Sequence, residues 1–157
     1  SDQFIHHVQS ALKSAVLDVK HLKLELTESI LLGNEDYVIS KMTELRKLGI
    51  AIAIDDFGTG YSSLSYLKRL PAAYLKIDRS FINDITSSKQ DVSICKTIIA
   101  MAHDFGMKAI AEGVETIEQA KILRNLNCDK MQGFLLSRPK SHVDVASTFS
   151  NKWPILF

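Results

Sequence analysis

Apolar residues recur along the chain at two spacings, one helical and one alternating, and the switches between them mark out the elements. Phe4, Val8, Leu12, Ala15 and Val19 fall at helical spacing and predict an amphipathic helix over 3–17. LKLEL (22–26) reads as a short strand. Asn34 caps a second helix with Glu35 and Asp36 in its first turn; Val38, Met42, Leu45 and Leu48 form its stripe, and Gly49 stops it. A central strand follows at 50–54. A short helix over about 62–70 ends at Pro71, and YLKID (74–78) is the third strand. Ser87 or Ser88 caps a helix carrying Val92, Cys95, Ile98, Ile99, Ala102 and Phe105, which ends at Gly106. KAIAE (108–112) is the fourth strand. Thr116 and Gln119 form a capping box for a helix with Ala120, Leu123 and Leu126. MQGFLL (131–136) is the fifth strand, and Ser141 opens a last helix reaching Phe149. The tail through Trp153 and Pro154 is left unassigned.

Strands alternating with helices at intervals of about 22 to 34 residues give the rhythm of a parallel α/β sheet. Two architectures fit: a doubly wound open sheet, or part of a TIM-type (β/α)8 barrel. The polar residues favour the barrel. Glu25, Asp55 and Asp56, Lys76 and Asp78, Glu112, and Gln132 all lie at the C-terminal ends of strands. In a barrel those ends ring one mouth, where active sites are built. A complete barrel takes roughly 250 residues, so five strands make an incomplete one.

Composition narrows the class. A chain of 157 residues with 46% apolar content supports one domain with a real core. A net charge of +1 gives no reason to expect a nucleic-acid polymer as partner. Cys95 and Cys128 lack metal spacing and read as free thiols of a reducing compartment. His6, His7, His21, His103 and His142 lack ligand spacing as well. No apolar run reaches the roughly 20 residues of a membrane span, and no secretory signal is visible. The expectation is a cytoplasmic segment without membrane contact of its own, whose parent protein can still be tethered through other domains.

The stretch with most chemical content is IAIAIDDFGTGYSS (50–63). A buried strand runs into two adjacent acids, then into a turn whose Gly58 and Gly60 let a ligand approach closely. Together, LELTES (24–29), DDFGTGYSSLSYL (55–67), LKIDRSFI (75–82), AIAEGVET (109–116) and MQGFLLSRP (131–139) closely resemble the EAL-domain family, over essentially residues 4–139. That resemblance implies hydrolysis of the bacterial second messenger cyclic di-GMP to linear pGpG, on a modified TIM barrel. The family's Glu-Ala-Leu tripeptide and an earlier strand-ending Asn, both metal ligands there, have no counterpart here. The chain therefore resembles the five C-terminal βα units of the domain, residues 1–157 forming a partial EAL-type domain without its N-terminal strands.

Cleaving a phosphodiester requires a hydroxide in line with the leaving oxygen and neutralised phosphoryl charge, which two divalent metals provide. Mg²⁺ or Mn²⁺ calls for carboxylate oxygens. By resemblance Glu25, Asp55, Asp56 and Glu112 match metal ligands, with Asp55 bridging. Glu112 is alternatively the general base, and Lys76 contacts the attacking water and the phosphate. Glu28 matches a residue that anchors the loop of Phe57, Gly58, Thr59 and Gly60, coupling site occupancy to neighbouring subunits or domains. Asp78 matches a residue behind the ligands, and Glu115 and Gln132 match residues that orient the site or touch cyclic di-GMP.

Each assignment has a plainer rival. A strand-ending acid caps the next helix as readily as it binds metal. Lys76 can simply pair with Asp78 or Glu112, Asp78 with Arg79; Glu28 can open a turn with Ser29, and Gln132 can be a buried, hydrogen-bonded amide. The whole domain can equally be a noncatalytic cyclic di-GMP receptor or protein-interaction module on a degenerate fold. A class I aldolase with Lys76 as Schiff base leaves Asp55, Asp56 and Glu25 without a task. The first and last strands would also present unpaired edges with apolar inner faces. The expectation is a fragment inactive alone, or one half of an assembly, covered by a missing N-terminal segment or a homodimer partner.

Overall fold

Five parallel strands pair in chain order: β1 (Lys23–Thr27), β2 (Ala51–Phe57), β3 (Tyr74–Ile77), β4 (Lys108–Ala111) and β5 (Lys130–Met131). The computed structural model describes residues 2–29, 34–60, 63–141 and 143–145. A doubly wound sheet reverses its strand order at a switch point. Here each strand pairs with its chain neighbour and no reversal occurs, which is the order of a barrel arc.

Helices α1 (Asp2–Ser14), α2 (Glu35–Lys47), α3 (Leu64–Leu67), α4 (Arg79–Asn83), α5 (Lys89–Asp104) and α6 (Ile117–Asn125) precede or connect the strands. Their ends follow local chemistry. Asn34 accepts a hydrogen bond from Tyr37 N, Ser88 rather than Ser87 accepts from Asp91 N, and Thr116 and Gln119 form the expected capping box. Gly49 stops α2 in a left-handed conformation (φ +89°).

Several boundaries differ from the sequence expectation. The predicted helix over 3–17 ends at Ser14, before Val16 turns left-handed (φ 51°). The third-strand connection contains α4, which at five residues is too short to show a period. The predicted 62–70 helix is confined to Leu64–Leu67 among the described residues. The predicted strand 131–136 is only Lys130–Met131, because Gly133 packs on the backbone of Val114 and the chain turns there, Leu136 N donating to Gly133 O. A helical turn covers 143–145, and the predicted continuation to Phe149 lies outside the described residues.

The two faces of the sheet differ in kind. Ile52, Ile54, Leu75, Ile77, Ala109 and Ala111 pack against the helices in one core with Met42, Leu45, Ile98, Ile99, Ala102 and Leu123. The opposite face carries Lys23, Glu25, Asp55, Tyr74, Lys76 and Lys130, with Ala53 and Ile110 buried among them. Lys23 and Lys130 flank the Tyr74 ring, 5.3 and 4.6 Å from its centroid. The apolar inner faces expected for the first and last strands are therefore absent. In LKLEL, Leu24 and Leu26 point to the helices, and the alternation leaves Lys23 and Glu25 on the other side. Among the described residues β1 and β5 are the edge strands, and Lys23, Glu25 and Lys130 make their inner faces charged.

Candidate functional site

The site begins with an irregularity in β2. Ile54 pairs with Leu75 and Phe57 with Ile77, so Asp55 and Asp56 together stand opposite the single residue Lys76. This is a β-bulge, and Asp56 makes it with a left-handed backbone (φ 53°), which aspartate tolerates better than most residues. In a regular strand, consecutive side chains face opposite ways. With the bulge, Asp55 and Asp56 join Glu112 as oxygen donors that all lie within 4.8 Å of one another. β2 runs to Phe57, three residues past the predicted limit at Ile54, so the acids sit inside the strand rather than beyond its end.

Lys76 organises the remaining charge. Its ammonium donates to Glu25 Oε2 at 2.6 Å, Asp55 Oδ1 at 2.8 Å and Glu112 Oε1 at 2.6 Å, with the lysine side chain only 3% exposed. Burial alone pushes its pKa down, but the hydrogen bonds to Asp55, Glu112 and Glu25 outweigh that and hold it well above the ordinary lysine value. An amine kept this firmly protonated is a poor Schiff-base nucleophile, which removes support from the aldolase reading. Glu25, Asp55 and Glu112 come from three separate strands or their ends and meet at one nitrogen. The donor set is all oxygen and anionic, which fits Mg²⁺ or Mn²⁺.

A loop closes over the bulge. Glu28, 4% exposed, accepts from Gly58 N at 3.1 Å and Gly60 N at 3.2 Å. Thr59 Oγ1 donates to Asp56 O at 2.9 Å. A Cβ on Gly60 would lie 2.9 Å from the Glu28 carboxyl carbon, so glycine is what lets the carboxylate approach. Phe57, the loop's first residue, is buried in the core.

The other expected site residues are placed differently. Asp78 accepts from Ser80 N at 2.9 Å and caps α4; burial pushes its carboxyl up, but hydrogen bonds from Ser80 hold it below the ordinary value. Glu115 is exposed. Gln132 is exposed too, so the buried-amide alternative does not describe it. Among the described residues the buried amide is Gln119, 6% exposed, which the sequence marks only as a helix-capping residue. Cys95 and Cys128 are free thiols; burial pushes them up to about 12 and about 11. Of the histidines, His103 pairs through Nε2 with Asp129 Oδ2 at 2.8 Å, and neither belongs to the acidic group.

Comparisons agree with the fold. A family model described as EAL domain matches residues 1–139. Cyclic di-GMP phosphodiesterase NbdA of Pseudomonas aeruginosa is 50% identical over 135 residues, covering 86% of this chain and 17% of NbdA. The PaMucR phosphodiesterase, solved as a c-di-GMP complex, matches with a TM-score of 0.85 at 45% identity, over 90% of this chain and 57% of that one. A manganese/cy-diGMP complex of Klebsiella pneumoniae BlrP1 matches with a TM-score of 0.79 at 34% identity, over 86% of this chain and 34% of that one. The chain thus spans only part of each. Among the described residues no helix is long and apolar enough to cross a membrane.

Proposed function

The chain belongs to the EAL-domain family, and from that premise we propose that the domain it represents hydrolyses cyclic di-GMP to linear pGpG. The observation that carries this reading is the convergence of Glu25, Asp55 and Glu112 on Lys76, with Asp56 beside Asp55 and Glu112.

In this reading Asp55, Asp56 and Glu112 hold divalent cations, with Glu25 beside them. Bound there, Mg²⁺ or Mn²⁺ would neutralise phosphoryl charge and make water more acidic. Lys76 contributes a fixed positive charge facing the phosphoryl oxygens, its orientation set by three carboxylates rather than by solvent. Glu112 would accept the proton of the attacking water. The Phe57–Gly60 loop, anchored by Glu28, fixes the bulge that aims Asp56. Asp78, Glu115 and Gln132 lie on the segments that follow β3, β4 and β5 and support or meet the dinucleotide.

Manganese-dependent turnover of cyclic di-GMP tests the reading, measured for this chain beside one extended upstream by about three βα units. Linear product from the extended protein, with little from the present chain, is the expected result. An extended protein that binds the dinucleotide and leaves it intact would instead support a receptor.

A further inference from the structure

Glu112 differs from the other carboxylates of the cluster in its backbone support. Glu25 lies inside β1, and Asp55 and Asp56 inside β2, whereas β4 ends at Ala111. Glu112 is therefore the first residue of the connection 112–116, held at its start by its own N–H, which donates to Ile77 O at 3.2 Å. Further along, Gly113 (φ +70°) sits where a Cβ would come 2.8 Å from Arg79 Cβ. Val114 N donates to Gln132 O at 3.0 Å, and Val114 O accepts from Leu135 N at 3.0 Å.

The next two amides are both taken by one side chain. Gln119 Oε1 accepts from Glu115 N at 2.8 Å and Thr116 N at 3.0 Å. The nitrogen of the same amide donates to Ile82 O at 3.1 Å and Asn83 O at 3.3 Å, at the end of α4. Donors face one end of the amide and carbonyls the other, so a single orientation satisfies all four partners. Capping α6 uses only the oxygen half, and a glutamate would serve there equally. The nitrogen half has a different effect. It ties the connection carrying Glu112 to α4, the helix that starts three residues after Lys76. Lys76 and Glu112 meet at 2.6 Å.

We propose that Gln119 is a positioning residue for the acidic site, clamping the 112–116 connection to α4 and so fixing the Glu112 carboxylate against Lys76. The inference rests on Glu112 being part of the proposed cation site, but the clamp itself can be read without any metal.

The test is residue-resolved hydrogen exchange on this chain, comparing Gln119→Glu at neutral pH with Ile122→Ala. The glutamate keeps the α6 cap and loses both donors to α4, while Ile122→Ala loosens α6 packing alone. The expected result is exchange at the Glu112 amide about tenfold faster in Gln119→Glu, with Ile122→Ala lowering the melting temperature without singling out Glu112. A Glu112 amide that exchanges at its original rate in Gln119→Glu overturns the proposal. Gln119→Met, of similar volume and lacking all four bonds, gives the same readout if the glutamate variant melts too early. A Mn²⁺ titration run alongside should show about tenfold weaker uptake in Gln119→Glu. An unaltered chain that takes up no Mn²⁺ would overturn the cation site, and the exchange data would still decide on Gln119.

Discussion

Asp55 and Asp56 are consecutive residues of one strand, yet both offer oxygens to the same small volume as Glu112. The cause is the left-handed backbone of Asp56 (φ 53°) at a bulge opposite Lys76. Charge and conformation at position 56 can therefore be separated. Asparagine accepts the left-handed region, whereas alanine costs about 1 kcal/mol there. Asp56→Asn should keep its melting temperature within about 2 °C of the unaltered chain, and Asp56→Ala should fall by roughly 2–4 °C. Both should lose Mn²⁺ affinity. Equal melting temperatures for the two variants would mean that the backbone at Asp56 is not under constraint.

Asp55 touches both halves of the site, accepting from the Lys76 ammonium and offering an oxygen to the Asp56–Glu112 group. In a protein extended to the full barrel, Asp55→Asn should reduce cyclic di-GMP turnover to below a few per cent. Turnover above that level, measured as linear product over time, would remove Asp55 from the centre of the site.

Lys76→Met takes a shared counter-charge from three partly exposed carboxylates. Glu25 is 37% exposed and Asp55 and Glu112 are each 20% exposed, so solvent screens part of the repulsion. The loss should come to about 3 kcal/mol, at the low end for breaking a buried ion pair. A divalent cation can replace the ammonium's charge. Millimolar Mn²⁺ should therefore raise the melting temperature of Lys76→Met more than that of the unaltered chain. Equal shifts in the two would indicate that the carboxylates do not act as a cation site.

Much of this was legible in the sequence, for identifiable reasons. The strand–helix rhythm shows because each strand of a parallel sheet packs an apolar row on its helices, as Leu24, Leu26, Ile52 and Ile54 do. The acidic group shows because Glu25, Asp55, Asp56 and Glu112 interrupt or directly follow apolar strand patterns. The bulge does not, since it is defined by the register against β3 and no single strand records its partner. Nor does α4, one turn long, or the end of β5 at Gly133, where the constraint comes from Val114 some twenty residues upstream. The role of Gln119 was hidden for a related reason. Its capping oxygen follows a local motif, but the carbonyls it reaches lie 36 and 37 residues away.

Acid stability offers a test away from the site. Burial alone would push the Asp129 carboxyl up, but hydrogen bonds from His103 and Ala109 N hold it below the ordinary 3.8. A depressed folded-state pKa means stability that is present above the unfolded value and lost as pH falls through the folded one. The stability difference between the unaltered chain and Asp129→Asn should thus shrink as pH falls below about 4. Urea unfolding across that range checks it, and a difference that grows toward low pH would contradict the assignment.

The Glu28 anchor makes a prediction about coupling. Its Oε2 serves both Gly58 N and Gly60 N, and a Cβ at Gly60 would press directly on the same carboxylate. Glu28→Ala leaves two loop amides without their acceptor, at about 1–3 kcal/mol each where they stay buried. Gly60→Ala, by pushing the carboxylate aside, breaks the same two bonds from the other partner. Once Glu28 is gone, the atoms nearest to the methyl group are gone with it. The double variant should then be less destabilised than the sum of the singles, with an interaction of about 1 kcal/mol in a double-mutant cycle. Urea denaturation of the four proteins measures it directly. Strict additivity would show that Gly60 is required for some reason other than room for Glu28, and would leave the loop held by contacts such as Phe57 in the core.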